Sequence, residues 1–259
     1  MTLIVVFLVT LLASVLGAIC GIGGGVVIKP VLDATGIVSV STGSFLSGCT
    51  VLCMTAYSVT KNLRAKTVPV RLVLCVPIAL GAAVGGILGK ILFQLILRQN
   101  AAPSTVGRVQ SLCLLLLTFG TLVYTLNKEK IKTQNHSGAL FCAAIGLLLG
   151  VFSSFLGIGG GPFNLVFLSF FFSMETKEAA QTSLFIILLS QITSLGSTIL
   201  TGSVPVFDPR MLIGMALLGI LGGILGRKVN SKISAKSVDR LFSGMTLVIA
   251  GICVYNLFK

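Results

Sequence analysis

Apolar stretches at about 3–19, 24–38, 42–60, 69–97, 107–126, 138–156, 162–173, 179–200, 210–226 and 241–258 occupy almost the whole chain. A helix that crosses a bilayer takes about 20 apolar residues at 1.5 Å each. Most of these stretches are long enough; the second and the seventh are too short to cross comfortably. Such a chain has little surface to offer water. Of its 259 residues 55% are hydrophobic and 10% charged, with a mean hydropathy of +1.07, against roughly a quarter charged in a soluble globular domain. A soluble enzyme, a disordered chain and a collagen-like fibre are excluded. The expected fold is an all-α integral membrane protein.

The balance of 19 Lys+Arg against 6 Asp+Glu gives a net charge of +13. In a soluble protein that excess would suggest nucleic acid. Here the basic residues gather in short runs between apolar stretches, as cytoplasmic loops do, so no nucleic-acid partner is expected. Seven cysteines (Cys20, Cys49, Cys53, Cys75, Cys113, Cys142, Cys253) lie within apolar runs, without a CxxC or a Cys/His cluster. Neither a zinc site nor a disulfide framework follows from them. Residues 1–20 lack a basic region and lead into a glycine motif instead of a cleavage site; they read as a membrane segment, not a signal peptide.

The chain repeats itself. Gly21-Ile22-Gly23-Gly24-Gly25 returns as Gly157-Ile158-Gly159-Gly160-Gly161, 136 positions later, and Thr67-Val68-Pro69-Val70 as Ser203-Val204-Pro205-Val206 at the same offset. Gly85-Gly86-Ile87-Leu88-Gly89-Lys90 matches Gly222-Gly223-Ile224-Leu225-Gly226-Arg227 at 137, and Val106-x-Arg108 matches Val238-x-Arg240 at 132. Ordered matches at a nearly constant offset divide the chain into a first membrane repeat, 1–126, a basic connecting loop, 127–137, and a second membrane repeat, 138–259.

Charge placement bears on how the halves point. Eight plain spans would make them parallel and would put 9 basic residues on one side and 10 on the other, against the positive-inside rule. If each short segment after GIGGG turns back on the helix before it, every half makes three net crossings and the second is inverted. Loops 61–71, 127–137 and 227–240 with Lys177 then carry 13 basic residues on one side and leave 6 opposite. The expectation is therefore inverted repeats, each with a glycine-broken re-entrant segment, with both termini outside the cytoplasm. Two tilted, short crossings per half would leave the loop charges equally placed.

Glycine runs break helices, and broken backbone inside a bilayer is tolerated only where protein buries it or a wet cavity meets it. A half-helix starting at such a turn presents free N–H groups and its positive dipole end, an anion seat. Gly21, Gly23, Gly24 and Gly25, with Gly157, Gly159, Gly160 and Gly161, are thus candidate substrate-binding residues; close helix packing is the competing use of the same glycines. Lys29 either neutralises an anion held there or snorkels to the interface and pairs with Asp33 one turn on. Thr42, Ser44, Asn164, Gln181, Thr182 and Ser183 are candidate hydrogen-bonding partners of an oxyanion, and each could equally bond its own helix.

A GxGGG motif after the first helix, a basic loop leading to the next, a third helix of GxxxGxxxG type, and a second copy of all three resemble the TauE/SafE family. Pro30 after the first glycine turn and Ala179-Ala180-Gln181-Thr182-Ser183 after the second fit the family pattern, while Ser41-Thr42-Gly43-Ser44 and Lys29 depart from it. The resemblance covers nearly the whole chain. It implies a sulfite exporter or 4-toluene sulfonate uptake permease: a carrier of small sulfur-containing anions such as sulfite, thiosulfate or organosulfonates, in the inner membrane of a bacterium.

No catalytic group is visible. GGILGK lacks the residues of a P-loop, since Val84 and Ile91 stand where Gly and Ser or Thr are needed. The one histidine, His136, lies in a loop, so a Ser/His pair and a His-based metal site are not expected. Asp33 is the one acidic residue within an apolar stretch, which gives little support to a proton relay. The expected activity is secondary transport without enzymatic chemistry, cofactor or metal. The other classes open to this sequence are an anion channel and a non-transporting scaffold or assembly factor.

Overall fold

The computed structural model describes residues 2–65, 71–98, 103–128 and 130–258. The repeat match at Thr67–Val70 and the basic residue Lys66 lie outside them. Ten helices follow one another: α1 (Thr2–Cys20), α2 (Gly25–Thr35), α3 (Val40–Ala65), α4 (Leu72–Arg98), α5 (Pro103–Leu126), α6 (Ala139–Phe155), α7 (Pro162–Phe172), α8 (Thr176–Leu200), α9 (Pro209–Asn230) and α10 (Ala235–Phe258). No β-strand occurs among the described residues. Helices α1, α4, α5, α8, α9 and α10 are long and apolar enough to cross a membrane. The two short ones, α2 and α7, have 11 residues each, about 16 Å at the helical rise. Both end on a left-handed residue, Gly36 and Ser173.

The two halves interleave. Helix α4 packs on α6 and α8, and its repeat counterpart α9 packs on α1 and α3. Glycines permit it. A Cβ at Gly81, Gly85 or Gly89 would lie 2.0–2.4 Å from the carbonyl oxygens of Ala143, Leu147 and Val151 on α6, and Gly146 and Gly150 return the contact against Ile78 and Ala82. Lipid tails are as apolar as leucine, so helices in a bilayer associate through such close backbone approach and not through hydrophobic exclusion. On α9, Gly222 and Gly226 face Ser14 and Val15 of α1, while Gly219 and Gly223 face Thr50 and Met54 of α3.

These contacts also fix direction. Residue numbers rise together along α4 and α6, along α9 and α1, and along α9 and α3, so those pairs run parallel. Along α3 and α8 they run oppositely, with Gly48 against Gln191 and Asn62 bonded to Gln181. Leucine, isoleucine and valine side chains on the outer faces (Leu140, Leu200, Val73, Leu116) stand largely exposed, as lipid-facing positions should.

Hydrogen bonds gather the loops at two ends. At one, Arg71 bonds Glu178 at 2.7 Å and the Phe172 carbonyl at 3.0 Å. There Lys128 bonds Thr176 at 2.7 Å and lies 3.6 Å from Asp239. Residues 134 and 136 donate to the Phe170 and Phe171 carbonyls at the end of α7. Helix α7 therefore finishes beside the loop from which α6 starts. At the other end Thr42, in the first turn of α3, donates to the Val206 carbonyl at 3.0 Å, and the Phe45 and Phe207 rings lie 5.2 Å apart.

Candidate functional site

At each GIGGG motif the chain reverses between a long helix and a short one. Gly21 and Gly23 have φ of 73° and 75°, and Gly157 and Gly159 have 66° and 72°. An L side chain pays for this left-handed region, and glycine does not. The isoleucine between them is buried in both turns and donates its N–H five residues back, Ile22 to Gly17 at 3.1 Å and Ile158 to Ser153 at 3.3 Å. Neither α2 nor α7 has a side-chain cap, so each opens with N–H groups that its own helix cannot satisfy.

The two turns touch. A Cβ at Gly25 would fall 2.0 Å from the Ile158 carbonyl oxygen, and one at Gly160 would fall 3.0 Å from that of Ile22. The start of α8 covers the first turn, with Ala180 against Gly21; the start of α3 covers the second, with Ser44 against Gly157. Val51 of α3 borders Gly23 and Gly159, and Ile187 of α8 borders Gly23 and Gly160. Ser47 donates to the Gly25 carbonyl at 3.4 Å, and Asn164 donates to Ser183 at 3.3 Å.

Around this contact lie buried polar atoms without a hydrogen-bond partner among the described residues: the hydroxyls of Ser14, Ser153, Ser154 and Thr182, and Asn164 Oδ1. Ser14 packs against Gly24, and the Ser153 and Ser154 carbonyls receive the N–H groups of Ile158 and Gly157. Burying an unpaired polar atom costs about 1–3 kcal/mol. These atoms, on residues whose backbones border the turns or on the helices beside them, have more hydrogen-bonding capacity than the described residues use.

Three carbonyls, two at the ends of α1 and α6 and one within α2, are met by side-chain amides. Gln110 of α5 donates to Phe155 at 2.6 Å, and Asn230 of α9 donates to Ile19 at 2.5 Å. Asn256 of α10 donates to Pro30 at 2.9 Å. In hydrocarbon these carbonyls have no water to turn to.

Of the residues picked from sequence, the glycines of both motifs, Lys29, Ser44, Asn164, Thr182 and Ser183 lie at or beside the paired turns. Lys29 is only 2% exposed and ion-paired with Asp33. Its Cε packs against the second turn at Gly157, not the first. It borders a crevice of only about 10 Å³ with Asp33, Gln110, Ser111 and Ile158. Gln181 instead bonds Asn62, which also accepts from Arg227 at 2.6 Å. The Thr42 hydroxyl is taken by Val206 and Ser39. Sequence reasoning passed over Ser14, Ser153, Ser154 and the three capping amides. The adjacent serines just before the second motif were a readable signal; the amides were not, because their partners are 45 to 226 positions away.

Two broken helices meeting inside an all-α membrane bundle are the architecture of a multi-pass membrane transporter. The pattern of the Sulfite exporter TauE/SafE family matches residues 6–252, and the chain belongs to that family, as the glycine motifs and the Ala179–Ser183 run implied. It is 26% identical over 282 aligned positions to the probable membrane transporter protein YunE of Bacillus subtilis (strain 168), covering 99% of this chain and 98% of that protein. No solved structure matches it.

Proposed function

We propose that this transporter carries a small sulfur-containing anion, of the class of sulfite, thiosulfate or an organosulfonate, bound between the two GIGGG turns. The observation that carries the reading is the contact of the turns, Gly25 on Ile158 and Gly160 on Ile22, amid hydroxyl and amide atoms that lack partners. Two uncapped helix starts supply partial positive charge there. The substrate's sulfur oxygens take up the spare donors. The chemical class comes from the family's description and not from any group at the site.

Inverted repeats, 1–126 and 138–259, account for the contact pattern. With α1–α2 and α6–α7 as re-entrant hairpins, α4 must run parallel to α6, and α9 parallel to both α1 and α3, while α3 opposes α8. Eight plain spans would reverse α3 against α8 and α9. The observed directions, with the return of α7 to the 127–137 loop, support an inverted arrangement over eight plain spans. Access alternates as one half rocks on the other. In a bacterial inner membrane the basic loops face the cytoplasm and both termini lie outside.

Tracer counterflow in proteoliposomes tests this, with sulfite, thiosulfate, sulfate, taurine and sulfoacetate each as trapped and labelled species. Saturable exchange of one or two of them is the expected result, with exchange abolished in folded Gly160→Leu. Non-saturating current would make the protein an anion channel. Absence of exchange from folded wild-type protein with all five would reject this substrate class, and electrical recording and pull-downs would then test the channel and the scaffold.

A further inference from the structure

At the end of the bundle where α3 begins, Lys90 of α4 is only 8% exposed and has no ion pair or hydrogen bond among the described residues. Its ammonium rests over the Phe93 ring, 5.1 Å from the centroid. One turn on, Gln94 Nε2 is buried and also unpartnered. Both line one cleft of about 170 Å³ with Ser41 of α3 and Ser203 and Pro205 of the loop before α9. A buried cation and a spare amide donor facing the same hollow, with two hydroxyls opposite, call for an anion with several oxygens.

The second half shows what a satisfied cation looks like there. Arg227 holds the position equivalent to Lys90, and it donates to Asn62 at 2.6 Å and to the Lys61 carbonyl at 3.4 Å. Lys90 has no such partner. The cleft lies at the end where α3 begins, and α3 runs from there to the glycine turns. Further along α3, Gly48 lies against Gln191, and Val51 lies against Gly23 and Gly159.

We propose that Lys90, Gln94, Ser41 and Ser203 form an outer binding station for a sulfur oxyanion, loaded before the anion reaches the glycine turns. This rests on the transport reading above and extends it to a second, earlier site. Phosphate headgroups of lipid share the chemistry, so the test separates the two sources.

Equilibrium binding of radiolabelled sulfite, thiosulfate and sulfoacetate to purified protein is compared with counterflow of the same anions, for wild type, Lys90→Met, Lys90→Arg and Gln94→Leu. Lys90→Met removes a buried charge from an apolar helix, and insertion and monodispersity are checked by gel filtration. Loss of a charge-assisted hydrogen bond is expected to raise both Kd and KM by about 10-fold or more, with the maximal rate within about 2-fold. Lys90→Arg retains wild-type affinity, and Gln94→Leu shows a smaller rise. Exchange with unchanged Kd and KM in Lys90→Met overturns the outer station and leaves the carrier standing. Lys90-dependent binding without any wild-type exchange supports the station and overturns the carrier. No binding to wild type overturns both. Reconstitution in phosphatidylcholine with and without phosphatidylglycerol is expected to give one KM; a Lys90-dependent response to phosphatidylglycerol alone assigns the cleft to a headgroup and overturns the proposal.

Discussion

Lys29 shows how a single side chain can be legible and still be misplaced. A lysine in an apolar stretch is expensive, and Asp33 stands four residues on, so the pair itself could be read from the sequence. That its stem packs on Gly157, in the opposite half, could not, because nothing local encodes a neighbour 128 positions away. The pair is close to neutral overall, which weakens Lys29 as a counter-charge for the substrate. Lys29→Met should leave the Asp33 carboxylate buried alone and cost about 3–5 kcal/mol of stability. The double variant Lys29→Met/Asp33→Leu should regain most of that loss. Thermal unfolding of the purified single and double variants checks the pattern; equal losses in both would mean that the pairing contributes nothing. At Gly160, by contrast, an added side chain first meets the flexible tip of Ile187, so Gly160→Leu should insert and fold while closing the site.

Among the elements, α4 and α9 carry the architecture. Each presents glycines on two sides, one toward the partner's first helix and one toward its long third helix. Ten apolar runs, two of them short, were countable in the sequence because the length of an apolar run maps directly onto helix length. Which helix packs on which was not, since a glycine ladder specifies close approach without naming the partner. Gly85→Leu sets a side chain against the α6 backbone, where nothing flexible can yield. Overpacking of this kind costs about 1–3 kcal/mol or more. A lowered Tm and broadened gel-filtration profile are expected for Gly85→Leu and for its counterpart Gly222→Leu. Gly120→Leu, at a position with open space around it, should behave as wild type and serves as the control.

For the molecule as a whole, the charges of the loops and the directions of the helices agree. Arg71, Lys128 and Arg227 bond at one end, and the loop holding Val204 lies at the other with Ser41 and Thr42. Cysteines introduced singly by Thr133→Cys and Val204→Cys, into a background without the native seven, should label from opposite sides. A membrane-impermeant maleimide applied to intact cells should modify position 204 at once and position 133 only after permeabilisation. The same side for both would dismiss the inverted arrangement whatever the substrate.

The interleaving of the halves also bears on how the chain is made. Helix α1 is made before the other nine helices described, its close partner α9 follows eight of the ten, and α4 must wait for α6. The glycine faces of α1 and α4 are thus without these partners until α9 and α6 are made. Because α1 and α9, and α4 and α6, belong to one chain, each meets its partner in an intramolecular encounter instead of by a search in the membrane plane.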